Sequence, residues 1–196
     1  LSALLLAGCA TAPRQAAAPR FEAGMVSAAD PRAAEAGAEM LRKGGSATDA
    51  ALATLLALTV VEPQSSGIGG GGFYVSDDGK GRIETIDGRE TAPAAATPDW
   101  FRMNGQYLAV PQAVPGGLSV GVPGNVALMA EAHRRHGSLP WQDLFGPAIR
   151  LAREGFAVTP RLHQFLGRFA RTGALSAEAR ALFYQPPVQQ QPALEP

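Results

Sequence analysis

The sequence predicts an α/β (α+β) body, mostly helical with one β-hairpin, and three observations carry that expectation. An unbroken apolar stretch at 50–61 follows Ser46-Ala47-Thr48-Asp49, which has capping-box spacing with Asp in place of Glu. Two strand-like runs at 73–75 and 82–86 flank the turn-rich Asp77-Asp78-Gly79-Lys80-Gly81. Helix-like stretches at 125–136, 140–154 and 160–171 are each closed by a glycine, Gly137, Gly155 or Gly173.

Size and charge set the outer limits. The chain has 196 residues, 46% of them hydrophobic, enough for one sizeable core or part of a larger one. Its 17 basic and 17 acidic side chains cancel and are scattered singly. Phosphate binding leans on a basic excess or stripe, so this balance argues against a nucleic-acid partner.

In chain order, Leu4-Leu5-Leu6-Ala7-Gly8 leads into Cys9, the shape of the tail of a bacterial lipoprotein signal in which the cysteine is lipidated. A plain cleaved signal peptide is the alternative. The apolar run is too short to span a bilayer, and the basic segment that precedes such a run is not in the sequence. The expectation is therefore a chain that begins inside an export signal, with a periplasmic or cell-envelope destination and membrane anchoring through Cys9. A lone cysteine makes no intrachain disulfide. Residues 10–22 are rich in Ala and Pro and read as a tether, and the body is expected at 23–183.

Asp30-Pro31 is an N-cap and first-turn pair, and residues 32–43 place Ala33, Ala36, Met40 and Leu41 at helical spacing before Gly44-Gly45. The following run, 50–61, is apolar on every side and is read as a buried helix whose small residues Ala50, Ala51, Ala53 and Ala57 let it lie close to a sheet. After the hairpin, Thr97-Pro98 predicts a short helix over 99–103 ended by Asn104-Gly105. Residues 120–123 are either a strand or a loop. Residues 184–196, with Gln185-Pro186-Pro187-Val188, read as a linker or a frayed end.

The stretch 62–93 holds the chemistry. Four successive glycines, Gly69 to Gly72, leave room for close approach by another backbone or a ligand, and Arg89 offers a planar fork suited to a carboxylate. The alternative for Arg89 is an ordinary ion pair with Glu84, Asp87 or Glu90. The glycine run satisfies Gly-x-Gly-x-x-Gly spacing, yet it precedes a strand and lacks a Gly-Lys-Ser/Thr ending, which argues against a nucleotide loop. His133, His136 and His163 fit no metal spacing, and His133 and His136 with Arg134 and Arg135 between them read as a solvated face. Ser65-Ser66 is not a nucleophile elbow.

Six segments in order resemble the γ-glutamyltransferase family. They are GMVSAADPRAAEAG at 24–37, KGGSATDAALA at 43–53, VVEPQSSGIGGGGF at 60–73, DGRETAPAAATP at 87–98, SVGVPG at 119–124 and LPWQDLFGPAIRLAREGF at 139–156. The resemblance implies an N-terminal-nucleophile hydrolase, a four-layer αββα sandwich incomplete in this chain, made as one precursor that cuts itself into a large and a small subunit. This chain corresponds to the front of the large subunit. A threonine freed at the start of the small subunit would attack the γ-amide of glutathione or another γ-glutamyl compound, forming an acyl-enzyme that passes to water or to an amino acid or peptide. Freeing that residue supplies an α-amino group as base for an otherwise weak hydroxyl nucleophile.

The same resemblance gives Arg89 the role of holding the α-carboxylate of the γ-glutamyl group, and Glu90 that of orienting Arg89 or nearby backbone. None of Thr48, Thr54, Thr59, Thr85, Thr91, Thr97, Thr159 or Thr172 stands in a Thr-Thr-His-like setting, so no catalytic residue is expected in this chain and the chain alone is expected to be inactive. The acid for the substrate amino group and the oxyanion donors would come from the remaining part. No metal and no cofactor are called for. Two other readings remain: a cephalosporin acylase acting on glutaryl amides, and an inert envelope lipoprotein keeping the motifs for packing. Edges and apolar faces left open by the missing subunit would make the chain aggregate when alone.

Overall fold

The computed structural model describes residues 24–184, so Cys9, the tether and residues 185–196 lie outside it. The first helix, α1 (Pro31–Arg42), starts at Asp30, whose carboxylate accepts the Arg32 backbone N–H at 2.8 Å and the Arg32 guanidinium at 2.9 and 2.6 Å. Arg32 also donates to the Ala157 carbonyl at 2.8 Å and lies over the Phe156 ring. One buried cap thus fastens a segment far along the chain.

The central helix, α2 (Ala47–Val61), begins with the expected capping box, Ser46 and Asp49 each accepting the other's backbone N–H. Asp49 does more than cap: the same carboxylate oxygen accepts Ser138 N–H at 2.9 Å and Leu139 N–H at 3.1 Å, so it pins the turn after α4 (Asn125–His136) to the start of α2. Its main neighbours are helices. α2 lies against α1, α4, α5 (Gly146–Glu154) and a 3-10 turn at Trp141–Phe145. The buried small residues Ala50, Ala53 and Ala57 pack mainly among these helices, Ala50 and Ala53 share their cluster with Tyr74 and Ile86 of the strands, and Ala51 is exposed.

Two apolar clusters meet along α2. Met40, Leu52, Leu56, Leu128, Met129 and Leu144 form one, and Ala33, Ala36, Ala57 and Val61 the other. Burying a side chain such as Met129 or Leu144 contributes about 1.5–3 kcal/mol, so these clusters outweigh the exposed ion pairs around them.

β1 (Phe73–Asp77) and β2 (Ile83–Asp87) form an antiparallel hairpin in the register Tyr74↔Ile86 and Val75↔Thr85. Strand alternation turns Tyr74 and Ile86 onto the core, where the Tyr74 hydroxyl pairs with Thr48 Oγ1 at 2.8 Å, and leaves Phe73, Val75 and Ile83 exposed on the other face.

Residues 99–103 do not form the predicted helix. Arg102–Met103 (β3) pairs with Gln106–Tyr107 (β4) across Asn104-Gly105, both at positive φ, 51° and 79°. Asn-Gly is a hairpin signal before it is a helix stop, because both residues tolerate the left-handed region that a two-residue turn needs. A short α3 (Val110–Ala113) follows, and Val122 bridges Thr91 within the stretch left open as strand or loop. The predicted helix at 140–154 is broken into the 3-10 turn and α5 at Gly146-Pro147, where the prolyl nitrogen has no N–H to continue the ladder. α6 (Pro160–Gly173) agrees with its prediction, and α7 (Ala177–Phe183) is an additional helix capped by Ser176.

His133 and His136 are not on a solvated face. The His133 ring donates from Nε2 to the Leu139 carbonyl at 2.8 Å and packs on Trp141, while His136 Nε2 lies 3.1 Å from Glu84 and its ring stacks on Tyr74. Helical spacing of three puts both rings on one face of α4, and that face meets the turn and the hairpin.

Burial would raise the Asp49 carboxyl, but donors from Ser46, Ser138 and Leu139 outweigh it and hold the group below its ordinary 3.8. A folded-state value below the unfolded one means full stabilisation above pH 3.8, lost as the pH falls through the lower folded value. Asp49→Ala is expected to cost about 3 kcal/mol in the complete protein near neutral pH, because three backbone donors lose their acceptor. Thermal melts from pH 7 down to pH 3 check this: the Tm gap between wild type and variant should hold steady and begin to narrow only below pH 3.8.

Candidate functional site

Arg89 stands just past the end of β2, in a turn built by glycines from three places in the chain. The hairpin ladder runs one step beyond the strands, Gly88 N–H donating to Gly72 O at 3.0 Å and Gly72 N–H to Gly88 O at 3.3 Å. Asp87 Oδ1 then accepts the Arg89 backbone N–H at 2.9 Å, bending the chain out of the strand. Thr91 and Val122 exchange two hydrogen bonds beyond it, 3.3 and 2.8 Å.

Packing at this turn leaves no space for side chains. A Cβ on Gly71 would stand 2.5 Å from Gly88 O and 2.8 Å from Glu90 N, and one on Gly124 would run into the Gly88 carbonyl, 2.8 Å from its carbon. Close approach by backbone is thus the reason for Gly71, while a Cβ on Gly69 would meet nothing within 4 Å. The four glycines share a sequence but not a cause.

The glycine loop is held from the other side by α4. Gly124 and Asn125 N–H donate to Gly70 O at 3.1 and 3.0 Å, and the Asn125 side chain, 4% exposed, donates to Gly67 O at 2.8 Å. At the loop's start, Glu62 caps the end of α2 and is 1% exposed. Its carboxylate accepts Gln64 Nε2 at 2.8 Å and Ser65 Oγ at 3.0 Å and pairs with Arg161 of α6 at 3.2 Å, while its carbonyl accepts the N–H groups of Ser65 and Ser66.

These segments line an open cavity of about 480 Å³, with Gln64, Ser65, Ser66, Gly70, Arg89 and Glu90 among its walls. A second groove, of about 370 Å³, lies between the start of α2 and the hairpin and does not include Arg89. Each is lined by a loosely engaged arginine, Arg82 in the second, and the first is the candidate site because its arginine, Arg89, stands beside the glycine loop in the Asp-Gly-Arg-Glu motif. Of the acids near Arg89 in sequence, Glu84 is engaged by Arg135 and His136, whose contacts with its carboxylate, Arg135 foremost, hold it below its usual range. Asp87 takes only the backbone N–H.

Glu90 Oε2 remains, 3.3 Å from Arg89 Nη1, yet that oxygen has no well-aligned hydrogen-bond donor among the described residues. We take the contact as charge attraction without a fork. A pair of this kind is worth about 0–1 kcal/mol where the arginine side chain is 57% exposed, so a carboxylate ligand can claim the guanidinium at little cost.

Among the described residues no histidine lines the cavity and no cluster of His, Cys, Asp or Glu could hold a metal ion. Thr48 and Thr54 are buried in structural hydrogen bonds. Ser65 is tied to Glu62. The arrangement can bind an anion and shape a pocket.

Sequence reasoning reached Arg89, Glu90 and the glycines but not Glu62, Gln64 or Asn125. An acid placed directly after an apolar helix and before a proline was the available signal for Glu62. Asn125 gives none, since nothing in Pro123-Gly124-Asn125 says that its side chain reaches back 58 residues to Gly67.

Comparison with known proteins adds lineage to this geometry. The profile of the gamma-glutamyltranspeptidase family matches residues 33–193. Scoloptoxin SSD14 of Scolopendra dehaani is 51% identical over 155 residues, which cover 78% of this chain and 26% of the toxin. The glutathione hydrolase proenzyme of Bacillus subtilis (strain 168) is 45% identical over 157 residues, 77% of this chain and 27% of that protein. The chain therefore spans about a quarter of the length of these relatives. Among solved structures, Helicobacter pylori gamma-glutamyltranspeptidase superposes with a TM-score of 0.80 at 33% identity, covering 86% of this chain and 48% of that one. A cephalosporin acylase from Bacillus halodurans superposes with a TM-score of 0.63 at 39% identity, covering 71% and 26%. Among the described residues no helix is long and apolar enough to cross a membrane.

Proposed function

Because the chain belongs to the gamma-glutamyltranspeptidase family and carries part of its αββα N-terminal-nucleophile fold, we propose that the complete protein transfers γ-glutamyl groups from glutathione or related amides to water or to an amino acid. The observation that carries this reading is Arg89, loosely paired in the wall of the cavity, within the Asp-Gly-Arg-Glu motif. Its guanidinium takes the α-carboxylate of the donor through paired charge-assisted hydrogen bonds. That choice of end leaves the γ-carbonyl to face the nucleophile.

The nucleophile belongs to a small subunit cut from the same precursor, in keeping with relatives named proenzymes. The threonine Oγ attacks the γ-carbonyl carbon while the new α-amino group takes the hydroxyl proton and passes it to the departing amine. An ester remains. Water or an acceptor amine then attacks that ester, giving glutamate or a new γ-glutamyl amide and restoring the threonine. Oxyanion donors and the acid for the substrate amino group are assigned to residues beyond those described. Export, with lipid on Cys9 as the mature N-terminus, belongs to the same proposal, motivated by the apolar run before that cysteine.

One purification tests these points. The complete protein should appear as two polypeptides and release amine from a γ-glutamyl anilide, and the mass of the larger piece should include a lipid on Cys9. A single uncut chain without amine release rejects the activity and leaves the inert-lipoprotein reading standing. A second activity is kept by the likeness to the cephalosporin acylase. Faster hydrolysis of glutaryl than of γ-glutamyl anilide would favour it.

A further inference from the structure

We propose that Gln64 is a specificity-determining residue, its Oε1 accepting a hydrogen bond from the α-ammonium of the donor, and that Glu62 is the positioning residue that presents it. The proposal rests on the γ-glutamyl reading of the cavity and assigns the head group a second contact besides Arg89.

A primary amide can turn either its NH₂ or its oxygen to a neighbour, and the neighbour decides. Here the neighbour is Glu62, 1% exposed, with a carboxylate that only accepts. It holds Gln64 Nε2 at 2.8 Å, and the reversed amide would set oxygen against oxygen in a buried place. Ser65 Oγ at 3.0 Å and Arg161 at 3.2 Å hold the carboxylate itself in position. The amide orientation is therefore determined by the network.

What remains is Gln64 Oε1, buried and without a hydrogen-bond donor among the described residues, on a side chain that lines the same cavity as Arg89. A buried acceptor left unpaired is costly, and a ligand N–H would relieve it. Glu90 Oε2 also lacks an aligned donor and becomes a second acceptor once a ligand carboxylate takes the guanidinium, but Gln64 Oε1 is the acceptor whose direction a buried network fixes. The cavity is thus lined by one cation, Arg89, one carboxylate, Glu90, and the Gln64 amide, whose oxygen the network leaves without a donor among the described residues. An α-amino acid head group has the matching pair, a carboxylate and an ammonium, whereas a glutaryl group would leave Oε1 unmatched.

The test is the ratio of kcat/KM for γ-glutamyl anilide to that for glutaryl anilide, measured on the purified, processed complete protein. Gln64→Met keeps the length of the side chain and removes the acceptor, and the ratio should fall at least about tenfold. Glu62→Gln keeps the shape and frees the amide to turn, and the ratio should fall about threefold, because a neutral partner fixes the orientation less firmly. A packing role alone would lower both substrates in proportion and leave the ratio where it was. An unchanged ratio in folded Gln64→Met overturns the proposal. If that variant does not fold, Glu62→Gln decides, an unchanged ratio overturning it and a lowered one supporting it. Failure of the unsubstituted protein to act on γ-glutamyl anilide overturns the γ-glutamyl reading and this proposal together.

Discussion

Arg89→Lys in the complete protein is expected to lower kcat/KM for a γ-glutamyl anilide by roughly 30- to 100-fold, the scale of losing charge-assisted hydrogen bonds to a carboxylate. Lysine keeps the charge and loses the fork, so the substitution separates attraction from orientation. Most of the loss should sit in KM if the carboxylate is held equally in the ground and transition states. A share in kcat would mean that the fork also aims the γ-carbonyl at the nucleophile. Because Arg89 is exposed and its one charged contact is unaligned, its removal should leave Tm almost unchanged. An unaltered kcat/KM takes Arg89 out of the site.

Gly124→Ala should damage stability and activity together. Its Cβ would meet the Gly88 carbonyl, and neither backbone can retreat, since Gly88 is locked to Gly72 and Gly124 to Gly70. Overpacking of this kind costs about 1–3 kcal/mol, and the segment that must shift carries Arg89. We expect Tm to drop by several degrees and kcat/KM by more than about tenfold, because small misplacements at a binding group are amplified in rate. Gly69→Ala is the control. No atom stands within 4 Å of the Cβ it would add, so both readouts should stay near wild type. A harmless Gly124→Ala would mean that the turn is soft and that its glycines do not set the position of the cation.

Local chemistry was legible in the sequence and tertiary chemistry was not. Asp30-Pro31 and Ser46 to Asp49 announced the starts of α1 and α2, since a cap and its helix lie within four residues of each other. Phe73-Tyr74-Val75 and the run before Asp87 gave the hairpin, and Arg89 fell just past it as expected. Asn104-Gly105 was misread because the same pair closes a helix or turns a hairpin, and only the pairing of Arg102 with Tyr107 settles which. Trp141 to Phe145 looked helical by periodicity, yet Pro147 divides the stretch.

The site followed the same division. Arg89 was found by its motif and the type of its side chain, whereas Gln64, Glu62 and Asn125 matter through contacts with Arg161, Gly67 and Gly70 that no spacing encodes. The two histidines of α4 show the converse. Beside two arginines they look like solvent-facing residues, and they turn out to be cement between helix, turn and hairpin.

The turn bearing Arg89 is stitched from residues 72, 88 and 124, so no short piece of the polypeptide contains the instructions for where its charge points. Its geometry depends on the start of α4, through the bonds of Gly124 and Asn125 to Gly70. Under the proposed function, the aim of the binding cation is therefore hostage to one helix end. On that reading, natural variation near Gly124 would retune what the cavity accepts from a distance.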